Sequence, residues 1–328
     1  MRHSFADSAV RGGAAWPVTR VLYTYLLAAI AAGAQTYRLE GTILPEEQAS
    51  VSVFGATHPF TTSTMTDGSG RFTIKNLPPA TYTVSAFVPG FGEARQTIDV
   101  GAGTADKRGR VRITLRLTDM DNPLDHLRQR HSVSVKQLAV PESAQREYAA
   151  AQKDLEKRDT SAATRRLEHA VEIAPSFAMA WNNLGTIAYQ TSKFLRAEEC
   201  FREALRQEPT LYEALVNLGG VLINLRKLDE ALELNVHAVL VRPGDGLANA
   251  QLGMTYFEVG NSEAALKYLE RARQIDPGHF SHPQLYLAEI YLRRGENRAA
   301  AGMLQDYLAH HPDDPAASKM REKIAEWK

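Results

Sequence analysis

Residues 180–190 read Ala180-Trp181-Asn182-Asn183-Leu184-Gly185-Thr186-Ile187-Ala188-Tyr189-Gln190. The apolar spacing predicts a helix, yet a glycine inside a helix costs about 1 kcal/mol relative to alanine. Something packed closely against Gly185 must compensate. Working outward from it, the chain repeats itself. Pro175, Pro209, Pro243 and Pro277 are 34 residues apart, a period that marks stacked repeats. Aligned on them, Ala163, Ala197, Ala231 and Ala265 share one slot, and Ala170, Ala204, Ala238 and Ala272 share another. The Gly185 slot holds Ala151, Gly219 and Gly253 in the sister copies.

These residues resemble the tetratricopeptide repeat, W-x2-L-G-x2-Y…A-x3-F…P. The second copy supplies Trp181, Leu184, Gly185, Ala197, Phe201 and Pro209, with Ala188 in the Tyr slot and Tyr189 one place later. The fourth supplies Leu252, Gly253, Tyr256, Ala265, Leu269 and Pro277. A fifth fits after one inserted residue, with Leu287, Ala288, Tyr291, Ala300, Leu304 and Pro312. The expected unit is two antiparallel helices, with glycine or alanine of the first facing alanine of the second and proline ending each pair. Trp181, Leu184 and Phe201 fill the space around that contact. Five repeats over residues 144–314 exceed the three needed for stability. A capping helix over 315–328 is expected next, with Pro315 at its start and Ala316, Met320, Ile324 and Trp327 at helical spacing.

Upstream, residues 35–118 alternate with period two between turn clusters, which predicts about seven strands in a small sandwich. Thr66-Asp67 before a Gly-x-Gly turn, Phe72, Leu77-Pro78-Pro79, Tyr82 and Pro89-Gly90-Phe91 resemble the carboxypeptidase regulatory-like domain, a transthyretin-like fold. Ala80 departs from the glycine usual after the proline pair. The resemblance implies a non-catalytic accessory domain. Residues 119–143 read as a linker broken by Asn122-Pro123 and Val140-Pro141. It offers few apolar residues for an interface, so the two modules are expected to unfold separately.

At the N-terminus, Arg2, Arg11 and Arg20 precede an apolar run over 21–32, and Ala32-Gly33-Ala34 follows as a signal-peptidase pattern. Export with cleavage between Ala34 and Gln35 is the expectation, in the periplasm or outside the cell, leaving no integral span in the mature chain. The alternative is an uncleaved tethering helix.

Across the 328 residues, 38 basic side chains balance 38 acidic ones, so no global field draws nucleic acid or an anionic membrane. A single cysteine, Cys200, excludes a disulfide framework and a cysteine zinc cluster. His169 and Glu172 match an H-x-x-E metal pair, but no third ligand follows at suitable spacing. His279, His282, His310 and His311 fall at repeat junctions, where they are expected to cap helices or face solvent. Gly101 to Gly109 lacks phosphate-loop spacing. No catalytic residues, metal or cofactor are expected.

What remains is a surface. Positions 5, 9 and 12 of each first helix form a stripe along the concave face. It contributes Tyr148, Asn182, Tyr189, Val216, Ile223, Met254, Phe257, Leu285, Glu289 and Leu292 as the expected groove for a protein or peptide. Tyr189, Ile223 and Phe257 form its ladder, unless position 12 packs between repeats. The expected function is an exported scaffold. One rival is a glycan- or polymer-binding accessory protein using sandwich aromatics such as Phe54, Phe60 and Phe91, with carbohydrate contact there. Another, a hydrolase, would need a metal or nucleophile site.

Overall fold

Among the described residues, seven strands precede the helices, because their alternate side chains have one core to fill. The computed structural model describes residues 35–88, 92–117 and 140–327. The expected leader, most of the expected linker, and Phe91 lie outside them. The strands are β1 (Tyr37–Leu44), β2 (Ser50–Gly55), β3 (Thr61–Met65), β4 (Arg71–Leu77), β5 (Ala80–Val88), β6 (Gly92–Val100) and β7 (Arg110–Arg116). They make two sheets, ordered β4-β1-β7 and β3-β2-β5-β6. β1 runs antiparallel to β4 and parallel to β7. Leu39, Ile43, Val51, Val53, Tyr82 and Val84 meet between the sheets with no exposure.

The motif residues hold the turns. Asp67 accepts the backbone N–H groups of Ser69 and Arg71, each at 2.9 Å. Those bonds hold its carboxyl below the usual range. Thr66 donates its hydroxyl to the Glu47 carbonyl at 2.9 Å and accepts the Ala49 N–H at 2.8 Å. The Tyr82 hydroxyl donates to the Pro78 carbonyl at 3.1 Å, which secures the double-proline corner despite Ala80.

Among the described residues, the rest of the chain is helical. The pairs are α1 (Glu142–Glu156) with α2 (Thr160–Ile173), α3 (Ala178–Gln190) with α4 (Phe194–Gln207), and α5 (Tyr212–Asn224) with α6 (Leu228–Val241). Next come α7 (Gly246–Glu258) with α8 (Ser262–Ile275), α9 (Pro283–Arg293) with α10 (Asn297–His310), and then α11 (Ala317–Trp327). Ile324 and Ala317 are the buried residues of α11, which covers the last pair. No helix among the described residues is long and apolar enough to cross a membrane.

Two local rules repeat along the array. Within each pair the chain reverses at a left-handed residue: Arg158, Ser192, Arg226, Gly260 and Gly295 all have positive φ. Between pairs, Ala174, Glu208, Arg242 and Asp276 end their helices with ψ between 84° and 90°. Each precedes a proline, whose ring excludes the helical conformation from the residue before it.

The tight contact at Gly185 is with a different partner from the expected alanine. A β-carbon on Gly185 would lie 2.6 Å from Phe201 Cε1, and one on Gly253 would lie 2.7 Å from Leu269 Cγ. The glycine makes room for the large residue of the second helix. Ala197, Ala231 and Ala265, all fully buried, lie elsewhere along the same contact. Repeat three places Asn235 in the slot of Phe201 and Leu269.

Candidate partner-binding face

The first helices α1, α3, α5, α7 and α9 line one face of the array, the concave face in stacked helix pairs. The sequence stripe falls on it, but most of its members are held by neighbouring repeats. Asn182, Val216, Ile223, Phe257 and Leu285 are buried, each less than a tenth exposed. Tyr148, Tyr189, Met254, Glu289 and Leu292 are half-buried. Ile223 belongs to the apolar cluster joining the second and third pairs, and Phe257 to the one joining the fourth and fifth.

Polar members of the first three repeats are tied in the same way, by amide bonds from α3 to α1 and from α5 to α3. Asn183 Nδ2 donates to the Tyr148 hydroxyl at 3.0 Å, and Asn217 Nδ2 to Asn182 Oδ1 at 3.1 Å. Asn224 Nδ2 donates to the Tyr189 hydroxyl at 3.2 Å. Burial raises the Tyr148 phenol above its ordinary pKa. Glu289 accepts from Arg293 at 2.9 Å, and the Arg293 guanidinium lies 4.7 Å from the Phe257 ring centre. These positions set the repeat-to-repeat geometry of the face.

The sandwich also rests on this face. Thr62 donates to Glu156, the last residue of α1, at 3.3 Å. Arg158 donates to the Asn76 carbonyl at 3.2 Å and lies 5.3 Å from the Phe60 ring centre. Gln190, at the end of α3, donates to the Gly55 carbonyl at 2.9 Å. Farther along, the contacts move to the opposite ends of the helices. Both Asp276 oxygens accept the Thr97 N–H, at 3.0 and 3.1 Å. His311 Nδ1 donates to Asp99 Oδ2 at 2.7 Å. The Asp313 carboxylate accepts the Gly103 N–H at 2.8 and 2.9 Å. The bonds therefore run diagonally, from the C-terminal ends of α1 and α3 to the junctions before and after the fifth pair.

The interface is polar because the outward side of the β3-β2-β5-β6 sheet is polar. Thr81 donates to Asp99 at 2.7 Å and Ser85 to Glu93 at 2.6 Å, and Thr97 is only 2% exposed. Of the junction histidines, His310 does cap its helix, donating from Nδ1 to the Asp306 carbonyl at 2.9 Å, but the other three are not solvent-facing caps. His279 and His311 are 4% and 2% exposed, and His282 holds a left-handed backbone at the start of α9 without a side-chain cap. Burial is the main cause that lowers His279 and His282 to about 3. At Asp99 burial opposes ionisation, but the His311 bond and charge and the Thr81 bond outweigh it and lower the pKa. Asp276 is raised, chiefly by burial.

The pre-proline column is what sequence reading missed. It runs Ala174, Glu208, Arg242, Asp276 and His311. Asp276 and His311 bond the sandwich, but the column already turns charged at Glu208, so its charge did not single them out. Elsewhere, His169 faces Glu147 of α1 at 3.5 Å. Cys200 is buried and its thiol is pushed up to about 11, chiefly by burial. Among the described residues no group of three His, Cys, Asp or Glu side chains could hold a metal ion. Of the sandwich aromatics, Phe60 is buried and Phe54 is 41% exposed.

Comparison with known proteins assigns both parts. Residues 39–116 match the carboxypeptidase regulatory-like domain. Residues 256–324 match the tetratricopeptide repeat, and 147–276 the middle TPR-like domain of cilia and flagella-associated protein 70. The chain is 30% identical over 119 residues to the cell division cycle protein 16 homolog of Homo sapiens, covering 34% of this chain and 19% of that protein. It is 24% identical over 140 residues to BBSome complex member BBS4 of Xenopus tropicalis, covering 42% and 26%. The matched stretches thus span about a quarter or less of these relatives. Similar solved structures include MamA from Desulfovibrio magneticus RS-1, with TM-score 0.47 and 19% identity over 54% of this chain and 99% of that one. PilW, described as a type IV pilus biogenesis factor, gives 0.48 and 21% over 57% and 91%. YrrB, described as a TPR protein with an unusual peptide-binding site, gives 0.45 and 23% over 58% and 100%.

Proposed function

We propose that this chain, which carries a carboxypeptidase regulatory-like domain followed by tetratricopeptide repeats, is an exported, non-catalytic scaffold that binds another protein on the first-helix face. The observation that carries the reading is the diagonal course of the sandwich. Its bonds use the C-terminal ends of α1 and α3 and the junctions before α9 and after α10. The partner surface is what those bonds leave: the N-terminal halves of α1 and α3 with Tyr148 and Met179, and the C-terminal halves of α7 and α9 with Phe257 and Leu292. These side chains combine apolar area with nearby amides, which suits an amphipathic helix or an extended peptide. The ladder residues would then act through their exposed edges.

Site-specific photocrosslinking in the producing cell tests the reading. A photoreactive residue at Met179 or Leu292 should yield one recurrent protein adduct that is absent with the probe at Arg271, on the exposed side of α8. Equal adducts at all three positions, or only internal adducts to the sandwich, would overturn it. Export is checked on the same material by intact mass, since a mature chain beginning at Gln35 is expected. The glycan reading keeps one specific support, the exposed Phe54. Its test is whether Phe54→Ala abolishes retention of the protein on isolated envelope polysaccharide.

A further inference from the structure

The outward side of the β4-β1-β7 sheet differs from the side that meets the helices. Leu39, Ile43, Phe72, Ile74, Val111 and Leu115 point into the core, so the alternate residues point out. Those residues include Arg38, Arg71, Lys75, Arg110, Arg112 and Arg116. Within a chain of zero net charge, six cations share one flat face of three strands. Glu40 and Asp106 are divided among Arg38, Arg110 and Arg112. Lys75 and Arg116 are exposed and form no ion pair among the described residues, and exposed Arg71 has the charge of Asp67 nearby.

Sheet stability does not explain the pattern. Arg38 stands directly opposite Arg110 in the β1–β7 register, and like charges opposed across strands are destabilising. The other outward positions of this face are Thr, Glu and Leu, with Asn76 at the register shift of β4. No aromatic ring is present for a sugar or an unpaired base to stack on. The face is one layer of strands, with Arg38 on the central strand β1, four residues past the expected cleavage site. An extended polyanionic surface that needs no groove to receive it is the headgroup layer of an anionic lipid bilayer.

We propose that the β4-β1-β7 face docks on anionic lipid headgroups, so that one sheet of the sandwich rests on a bilayer while the other holds the helical array. This goes beyond partner binding by the helices and does not depend on it.

The test is co-sedimentation of the full mature chain with vesicles of phosphatidylcholine alone and of phosphatidylcholine mixed with phosphatidylglycerol. Arg71→Gln, Lys75→Gln and Arg116→Gln combined should lower partitioning onto the mixed vesicles by about 100-fold, at roughly fivefold per cation. The triple variant Arg165→Gln, Arg298→Gln and Lys319→Gln, which removes exposed cations of the helices, should leave it unchanged. All three proteins are the mature chain beginning at Gln35, so no apolar leader contributes to the partitioning. Equal partitioning of wild type and the sandwich variant would overturn the proposal, as would equal binding to neutral vesicles. So would duplex DNA or an acidic polysaccharide displacing the protein from mixed vesicles at stoichiometric charge. Unchanged circular dichroism of the sandwich variant establishes that its loss comes from charge.

Discussion

His311 donates from Nδ1 to Asp99 Oδ2 at 2.7 Å across 212 residues of sequence, joining the last repeat junction to the sixth strand. The His282 ring stands perpendicular to His311, with centres 4.7 Å apart. His279, His310, Asp276 and Arg95 belong to the same electrostatic neighbourhood. Docking of the sandwich therefore depends on protonation.

The sign follows from the individual groups. Burial first, then the positive charge of His311, holds His282 down to about 3, although Asp99 pulls the other way. His279 is held at about 3 by burial, His282, Arg95 and His311. Unfolded histidine titrates near 6.5, so the unfolded chain binds more protons between those values and stability falls as pH drops below 6.5. At pH 5 each ring costs about 2 kcal/mol. Asp99, depressed in the fold, loses its contribution only below the ordinary carboxylate range. Asp276, raised by burial, returns some stability there. The melting temperature should fall between pH 7 and 5, and His282→Asn should flatten the slope, since Asn tolerates the left-handed backbone. A profile that is flat in the wild type would contradict this.

Asp276 gives a second, pH-independent test. Its carboxylate is the acceptor for the buried Thr97 N–H. Asp276→Ala strands that donor and should cost about 1–3 kcal/mol. Asp276→Asn keeps an oxygen in place and should cost much less. Amide hydrogen exchange at Thr97 reads the difference directly: fast in the alanine variant and slow in the asparagine variant.

The period of the prolines, the small-residue slots and the alternation of the strands were all legible in the sequence, because each is a local rule repeated along the chain. The docking was not. Asp99, Thr97, Asp276 and His311 are polar, and they meet only after both parts have folded. No apolar run announces the contact, so an expectation of separate modules followed naturally from the linker. The stripe of Tyr189, Ile223 and Phe257 lies on the first-helix face, but spacing alone could not show how deeply Ile223 and Phe257 pack between repeats.

Two glycines inside helices should respond oppositely to alanine. At Gly253 a β-carbon would lie 2.7 Å from Leu269 Cγ and 2.9 Å from the Leu269 backbone N. Backbone cannot give way as a side chain can, so Gly253→Ala should cost about 1–3 kcal/mol. At Gly302, within α10, nothing lies within 4 Å. Gly302→Ala should stabilise by about 0.5–1 kcal/mol through helix propensity and a less mobile unfolded chain. Urea melts of the two variants settle the contrast.

The third repeat carries the array's polar exception. Asn235 is fully buried and donates from Nδ2 to Thr255 Oγ1 at 3.0 Å. Its Oδ1 accepts nothing. The same slot is filled by Phe201 and Leu269 in the neighbouring copies, beneath Gly185 and Gly253. Leucine has nearly the shape of asparagine and leaves no orphan acceptor. Thr255 keeps a partner when Asn235 is replaced, because its hydroxyl already donates to the Gln251 carbonyl at 2.7 Å. An unsatisfied buried polar atom costs about 1–3 kcal/mol, so Asn235→Leu should raise stability by about 1–2 kcal/mol in denaturant melts. Asn235→Phe should not, because Gly219 is flanked by Gly220, whose β-carbon position is taken by Gln251, and a larger ring would overfill the junction. If Asn235→Leu instead destabilises the array, the amide bond to Thr255 contributes more than the orphaned oxygen costs, and the third repeat is held together by its polar core.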